Sequence, residues 1–187
     1  MGCDNNMDVI KAISDRRSIR KYKNIDVDKD IIIDILNAGR MAPSSKNRQP
    51  WYFVKVNTEM KNQIGDSMIK YVENKNKEGR LYSVSFTANV IKEAPVLILI
   101  LKDKDYEWDS YDNLSIGACI ENMILRSTEL GLGTLWIGDT DFIKEDILKM
   151  VNHGDMELVC SLVIGYPNQD PKMRPRKELK DIVEYYE

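Results

Sequence analysis

Apolar residues recur along the chain in two kinds of pattern, and each predicts an element. At helical spacing, Val9, Ile10 and Ile13 predict a helix over residues 7–16 with these three side chains toward the core. Ile32, Ile35, Leu36 and Gly39 predict a second, capped by Asp26 or Asp28 and ended at Pro43, which forces the residue before it out of helical backbone. Met60, Ile64, Met68 and Tyr71 mark a third, with Thr58 as its cap. A long helix runs to Leu130 with Ile116, Ile120, Met123, Ile124 and Ser127 as its packed stripe; Gly131 and Gly133 stop it, Gly131 as a left-handed cap. Ile143, Ile147, Met150 and Val151 predict a last helix between an Asp141 cap and Gly154. The second pattern is the unbroken apolar run: residues 94–101 and 158–164 predict strands buried on both faces. Residues 51–56 and 134–137 read as further strands, 73–80 as a polar loop, and 103–112 as a surface loop or flap rich in acidic and aromatic residues. Without a regular βαβ alternation, the class is α+β: one sheet packed by helices, in a single domain over 1–187.

Composition narrows the function. The 187 residues carry 27 Lys+Arg against 30 Asp+Glu, a formal charge of −3. That balance argues against a nucleic-acid partner. No apolar run approaches the roughly 20 residues that span a bilayer, and residues 1–6 lack the features of a leader, so no membrane partner and a cytoplasmic location are expected. Cys3, Cys119 and Cys160 are too scattered for a disulfide framework, and Cys119 and Cys160 sit in core-like stretches. His153 is the only histidine, so no metal site is expected and Ser-His hydrolysis is disfavoured. The G-x-G of residues 129–134 lacks a third glycine and follows a helix, unlike a dinucleotide fingerprint. A chain so poor in nucleophile–base pairs either only binds something or borrows its chemistry from a cofactor.

Three features bear on that choice. Arg16, Arg17, Ser18, Arg20 and Lys21 form a basic cluster, which as the end of the first helix would also suit that helix's dipole. Arg174, Arg176 and Lys177 form a second. Guanidinium groups offer planar paired donors suited to phosphate, although either cluster alone reads more readily as a solvated face. Between them, residues 42–51 place Pro43, Ser44, Ser45, Asn47, Gln49 and Pro50 before Trp51, a rigid polar loop suited to the edge of a planar heteroaromatic ring.

Taken in order, these residues resemble the FMN-dependent nitroreductase family. The resemblance extends to Glu121-Asn122, to residues 131–138 and 163–167, to Arg174-Pro175-Arg176, and to Leu179, Ile182 and Val183. It implies a nitroreductase-like fold with a mostly antiparallel sheet, and a homodimer with FMN at the interface and a C-terminal arm exchanged with the partner. It places Arg16, Arg17 and Ser18 at the FMN phosphate and ribityl chain, Arg20 near N1 and O2, and Arg174 and Arg176 closing on the phosphate. Pro43, Ser44, Ser45, Asn47 and Gln49 would approach the flavin of the other subunit, and Ile137 and Gly138 would meet its N5–O4 edge. No catalytic side chain is named. The implied reaction is ping-pong hydride transfer from NADH or NADPH through flavin N5 to a nitroaromatic, quinone or other small planar acceptor. A specialised dehalogenase or dehydrogenase on the same site, and an FMN carrier or sensor without turnover, are the alternatives. Four residues depart from the family pattern: Lys46, Arg48, Ser115 and Arg126. Lys46 and Arg48 are open to three readings: recognition of an anionic substrate, of a nicotinamide dinucleotide phosphate, or exposure to solvent.

Overall fold

In a computed structural model of the chain, residues 8–76 and 78–186 are described; the expected helix start at Met7 and the thiol of Cys3 lie outside them. The elements in order are α1 (Val9–Asp15), α2 (Lys29–Arg40), β1 (Tyr52–Lys55), α3 (Thr58–Val72), α4 (Leu81–Glu93), β2 (Val96–Asp103), α5 (Asp109–Glu129), β3 (Gly133–Ile137), α6 (Lys144–Met150) and β4 (Met156–Gly165). The strands form one antiparallel sheet in the order β1-β2-β4-β3.

Strand β2 explains why its sequence is apolar without a break. Val96, Ile98 and Ile100 pack toward α2 and α5, whereas Leu97, Leu99 and Leu101 pack toward α3, α4 and α6. Both faces are covered, so the two-residue alternation has no polar half. Fully burying each such side chain contributes about 1.5–3 kcal/mol, which makes β2 the hydrophobic centre of the domain.

The two edges of the sheet differ. Ser18 bridges Thr134 in parallel, and Ile19 N donates to Thr134 O at 2.8 Å, so an extended segment covers the outer edge of β3. Gly133 permits this approach, because a Cβ there would stand 2.4 Å from Ile19 Cγ1. Farther along, Tyr22 bridges Pro167 and Lys23 N donates to Tyr166 O at 2.8 Å. The opposite edge, β1, has no strand partner among the described residues.

Several expectations need correction. Val9, Ile10 and Ile13 are all more than half exposed, and Ala12 is the buried residue of α1. Among the described residues nothing covers this apolar stripe. Asn57 rather than Thr58 caps α3, accepting from Met60 N at 2.8 Å. Helix α4 was not expected: its Ser, Thr and β-branched residues have weak helix propensity, and burial of Val84, Ala88 and Ile91 holds it instead. Asp141 lies inside a 3-10 turn, Asp139–Ile143, that precedes α6, and Asn152 at φ 58° makes the turn expected of Gly154. Gly131 is left-handed as expected, at φ 73°, but Gly133 belongs to β3. Helix α1 ends at Asp15, so most of the first basic cluster is extended chain, although Arg16 caps the helix and Arg17 reaches back to Ser14 O in its last turn.

Candidate functional site

The extended segment beside β3 meets the C-terminal tail. Arg16, Arg17, Ser18 and Arg20 line one wall of a cleft of about 140 Å³, and Lys172, Arg174 and Arg176 line the other with Pro171 and Met173. Two basic clusters, residues 16–20 and 174–176, from opposite ends of the chain thus face each other. Among the described residues, the one carboxylate within 4 Å of these cations is Glu121, 3.8 Å from Arg16 Nε. The guanidinium groups are instead oriented by backbone carbonyls: Arg17 Nη1 donates to Ser14 O at 2.6 Å and Arg16 O at 2.8 Å, Arg20 Nη1 to Ser18 O at 3.2 Å, and Arg176 Nη1 to Arg174 O at 3.0 Å. Carbonyls aim these groups without neutralising them. Like charges held this close repel, and a multiply charged anion would turn that cost into charge-assisted hydrogen bonds.

Arg20 also lines a second cavity, of about 220 Å³, at the end of β3. Its walls include Trp136, Ile137, Gly138 and Asp139, with Ser83, Phe86 and Thr87 of α4 opposite. No atom lies within 4 Å of where a Cβ on Gly138 would stand, so the space beside its backbone is open. Asp139 Oδ2 accepts from Ser83 Oγ at 2.9 Å and from Thr87 Oγ1 at 2.8 Å, tying the turn after β3 to α4. An anion-seeking cleft and a pocket with an accessible backbone edge therefore share one arginine. Ser83, Phe86, Thr87 and Asp139 were missed from sequence. The i,i+4 hydroxyls of Ser83 and Thr87 would have flagged a functional face once α4 was recognised as a helix.

The loop at residues 43–49 stands apart from both cavities within one chain. Lys46, Asn47 and Gln49 have φ of 48°, 57° and 50°, left-handed backbone unfavourable for such side chains. The strain is held by specific contacts. Ser44 Oγ accepts from Gln49 N at 2.9 Å, and Ser45 N donates to Ser115 Oγ at 3.4 Å. Arg48 places Nε and Nη2 on the two oxygens of Asp112, each at 3.0 Å, and Nη2 reaches Asp105 at 2.8 Å. Trp108 lies against both cations, 4.7 Å from Lys46 Nζ and 4.9 Å from Arg48 Cζ. For Arg48 these contacts show a role that none of the three readings named: it is an internal clamp between the loop and the start of α5. Hydrogen bonds to Asp112 and Asp105 raise its pKa still further. Arg126 is similarly engaged, with Nε 3.0 Å from Asp34 and Nη1 2.7 Å from Glu129.

Burial pushes the Cys119 and Cys160 thiols up to about 12, so neither is a nucleophile near neutral pH. Among the described residues no three His, Cys, Asp or Glu side chains could together hold a metal ion, and no helix is long and apolar enough to cross a membrane.

The sequence profile of the Nitroreductase family matches residues 13–166, from α1 to the end of β4. The chain belongs to the nitroreductase family. Its relatives include a Methanothermobacter thermautotrophicus protein with the provisional name NADH dehydrogenase/NAD(P)H nitroreductase, 30% identical over 177 residues that cover 90% of this chain and 82% of the relative. Iodotyrosine deiodinase of Thermotoga neapolitana is 30% identical over 181 residues, covering 91% and 93%. A solved FMN complex from Desulfovibrio desulfuricans superimposes with a TM-score of 0.79 over 97% of this chain and 98% of that one, at 24% identity. The expected fold therefore holds: a nitroreductase-like α+β domain with its antiparallel sheet between helices. The cleft brings the two basic clusters of the sequence together, and Gly138 stands between β3 and the 3-10 turn that follows it.

Proposed function

We propose that this nitroreductase-family oxidoreductase binds FMN, takes hydride from NADH or NADPH, and passes the electrons to a nitroaromatic, quinone or similar planar acceptor. One observation carries the reading: five arginines with almost no acidic partner line a cleft that leads, through Arg20, to the open backbone at Gly138. Their donor chemistry fits a flavin mononucleotide. Arg16, Arg17, Ser18, Arg174 and Arg176 would hold the phosphate, and Arg20 would face N1 and O2 of the ring. The flavin supplies the two-electron chemistry when bound. Arg20 lowers the cost of the negative charge that reduction leaves at N1–C2=O. The backbone of Ile137 and Gly138 orients the N5–O4 edge. No side-chain acid or base is assigned.

The active form is a homodimer in which Pro43, Ser44, Ser45, Asn47 and Gln49 reach the flavin of the other subunit. Supporting it, Val9, Ile10 and Ile13 of α1, Leu114 of α5, and Ile182, Tyr185 and Tyr186 of the tail are exposed apolar residues, and β1 has an open edge. Those surfaces suit burial against a second copy, with the C-terminal arm exchanged. Sedimentation at micromolar concentration is expected to give a dimer.

Adding NADH or NADPH anaerobically to the FMN-loaded protein is expected to bleach the flavin band, and a quinone or nitroaromatic to restore it. A band that persists with both nicotinamides would replace the reductase reading with a carrier or sensor. The deiodinase relative favours a second reading, reductive dehalogenation at the same site. Release of halide from a halogenated tyrosine by the reduced protein, faster than quinone turnover, would establish it.

A further inference from the structure

The second cavity contains one carboxylate, and half of it is unused. Asp139 Oδ2 is saturated by Ser83 and Thr87. Among the described residues Oδ1 accepts no hydrogen bond, and no cation lies within 4 Å of either oxygen, although a carboxylate offers about four acceptor positions. The same cavity is lined by donors as well: Arg20 with its guanidinium, and backbone N–H at the start of the 3-10 turn, where such groups have no partner within the turn. The lining therefore combines donors with one acceptor. Its complement is a ring edge that combines acceptors with a donor, as in the O2, N3–H and O4 of a flavin's pyrimidine.

We propose that Asp139 Oδ1 accepts the N3–H of the bound flavin, making Asp139 the residue that selects this edge of the ring. The assignment rests on the FMN reading above and adds a residue that the basic clusters and the loop do not include. It has an electrostatic consequence. A carboxylate at the pyrimidine edge opposes the negative charge that reduction places there, so Asp139 and Arg20 set the two-electron potential in opposite directions. Ser83 and Thr87 are positioning residues, because their hydroxyls hold the carboxylate in register with the ring edge.

The test compares FMN with 3-methyl-FMN, which lacks the N3 proton, by fluorescence quenching on the wild-type protein, D139N and D139A. The wild type is expected to favour FMN by roughly tenfold or more, the scale of a hydrogen bond to a charged group. D139A is expected to lose most of that preference. D139N keeps an acceptor oxygen, so it is expected to retain the preference while its two-electron potential rises. An equal preference in wild type and D139A overturns the proposal. Should D139A fail to fold, an unchanged potential in D139N overturns it as well. A wild type that binds neither flavin overturns the FMN reading itself, and this inference with it.

Discussion

The molecule holds positive charge in two ways. In the cleft between the β3 edge and the tail, arginines stand together with backbone carbonyls as their main partners, and Glu121 at 3.8 Å is the nearest acid. In the loop before β1, Arg48 is closed by Asp112 and Asp105, and Asp112 is 3% exposed. Sequence shows both as basic residues beside serines. Their partners separate them: a cation already paired with carboxylates maintains the fold, whereas cations aimed by neutral carbonyls are poised for an incoming anion. The difference also assigns strain. The loop carries three left-handed non-glycine residues, and the Arg48 clamp is what makes that conformation tenable.

The strongest way to break the contrast is to remove arginine from each region and measure the same two quantities. R16A/R174A is expected to weaken FMN binding by roughly a hundredfold or more, from about 1.5–3 kcal/mol for each of two charge-assisted contacts, while the apoprotein melts no lower than wild type. R48Q is expected to do the reverse in stability, lowering the apoprotein melting temperature by leaving Asp112 buried without its cation. Equal melting behaviour in the two variants would erase the distinction.

The cleft can also be disturbed through the sheet. G133A must push Ile19 away from β3, since its Cβ would stand 2.4 Å from Ile19 Cγ1. Overpacking of this kind costs roughly 1–3 kcal/mol, and the shift of the Ser18–Arg20 segment is expected to weaken FMN binding about tenfold, read by titration. A G133A variant that binds FMN normally would show that the segment's seat on β3 does not set the cleft.

The smallest effect concerns pH. In the folded protein Cys119 and Cys160 titrate near 12 instead of 9, so the folded state holds these protons more tightly. Their contribution to stability is complete below pH 9 and is lost as pH rises from 9 toward 12. C119A is expected to flatten that alkaline decline in denaturant midpoints. An unchanged slope would remove the thiol from the explanation.

Legibility in the sequence followed the range of the forces involved. Strand β2 and the stripe on α5 were readable because each pattern is local and both elements are buried within one chain. Helix α4 was not, because Ser83, Thr87 and its β-branched residues give weak helical preference, and the sheet's burial of Val84 and Ile91 overrides it. Val9, Ile10 and Ile13 were read correctly as a stripe and wrongly as core, since periodicity shows that a face is apolar without showing what covers it. For the site, the two basic clusters and the residue 137–138 turn were visible as motifs. The Arg48–Asp112 pair was not, because its partners are 64 residues apart and only the fold brings them together. Asp139 was hidden for a related reason: its partners lie on the helix that the sequence did not announce.

The central claim is that the arginines of the cleft exist to hold a phosphate. The most direct measurement is the affinity of the wild-type protein for FMN against riboflavin, which differ in that phosphate alone, at low and at high salt. FMN should bind at least a hundredfold more tightly at low salt, and the gap should narrow as ionic strength screens the charges. Equal affinity for the two flavins, unaffected by salt, would contradict the claim.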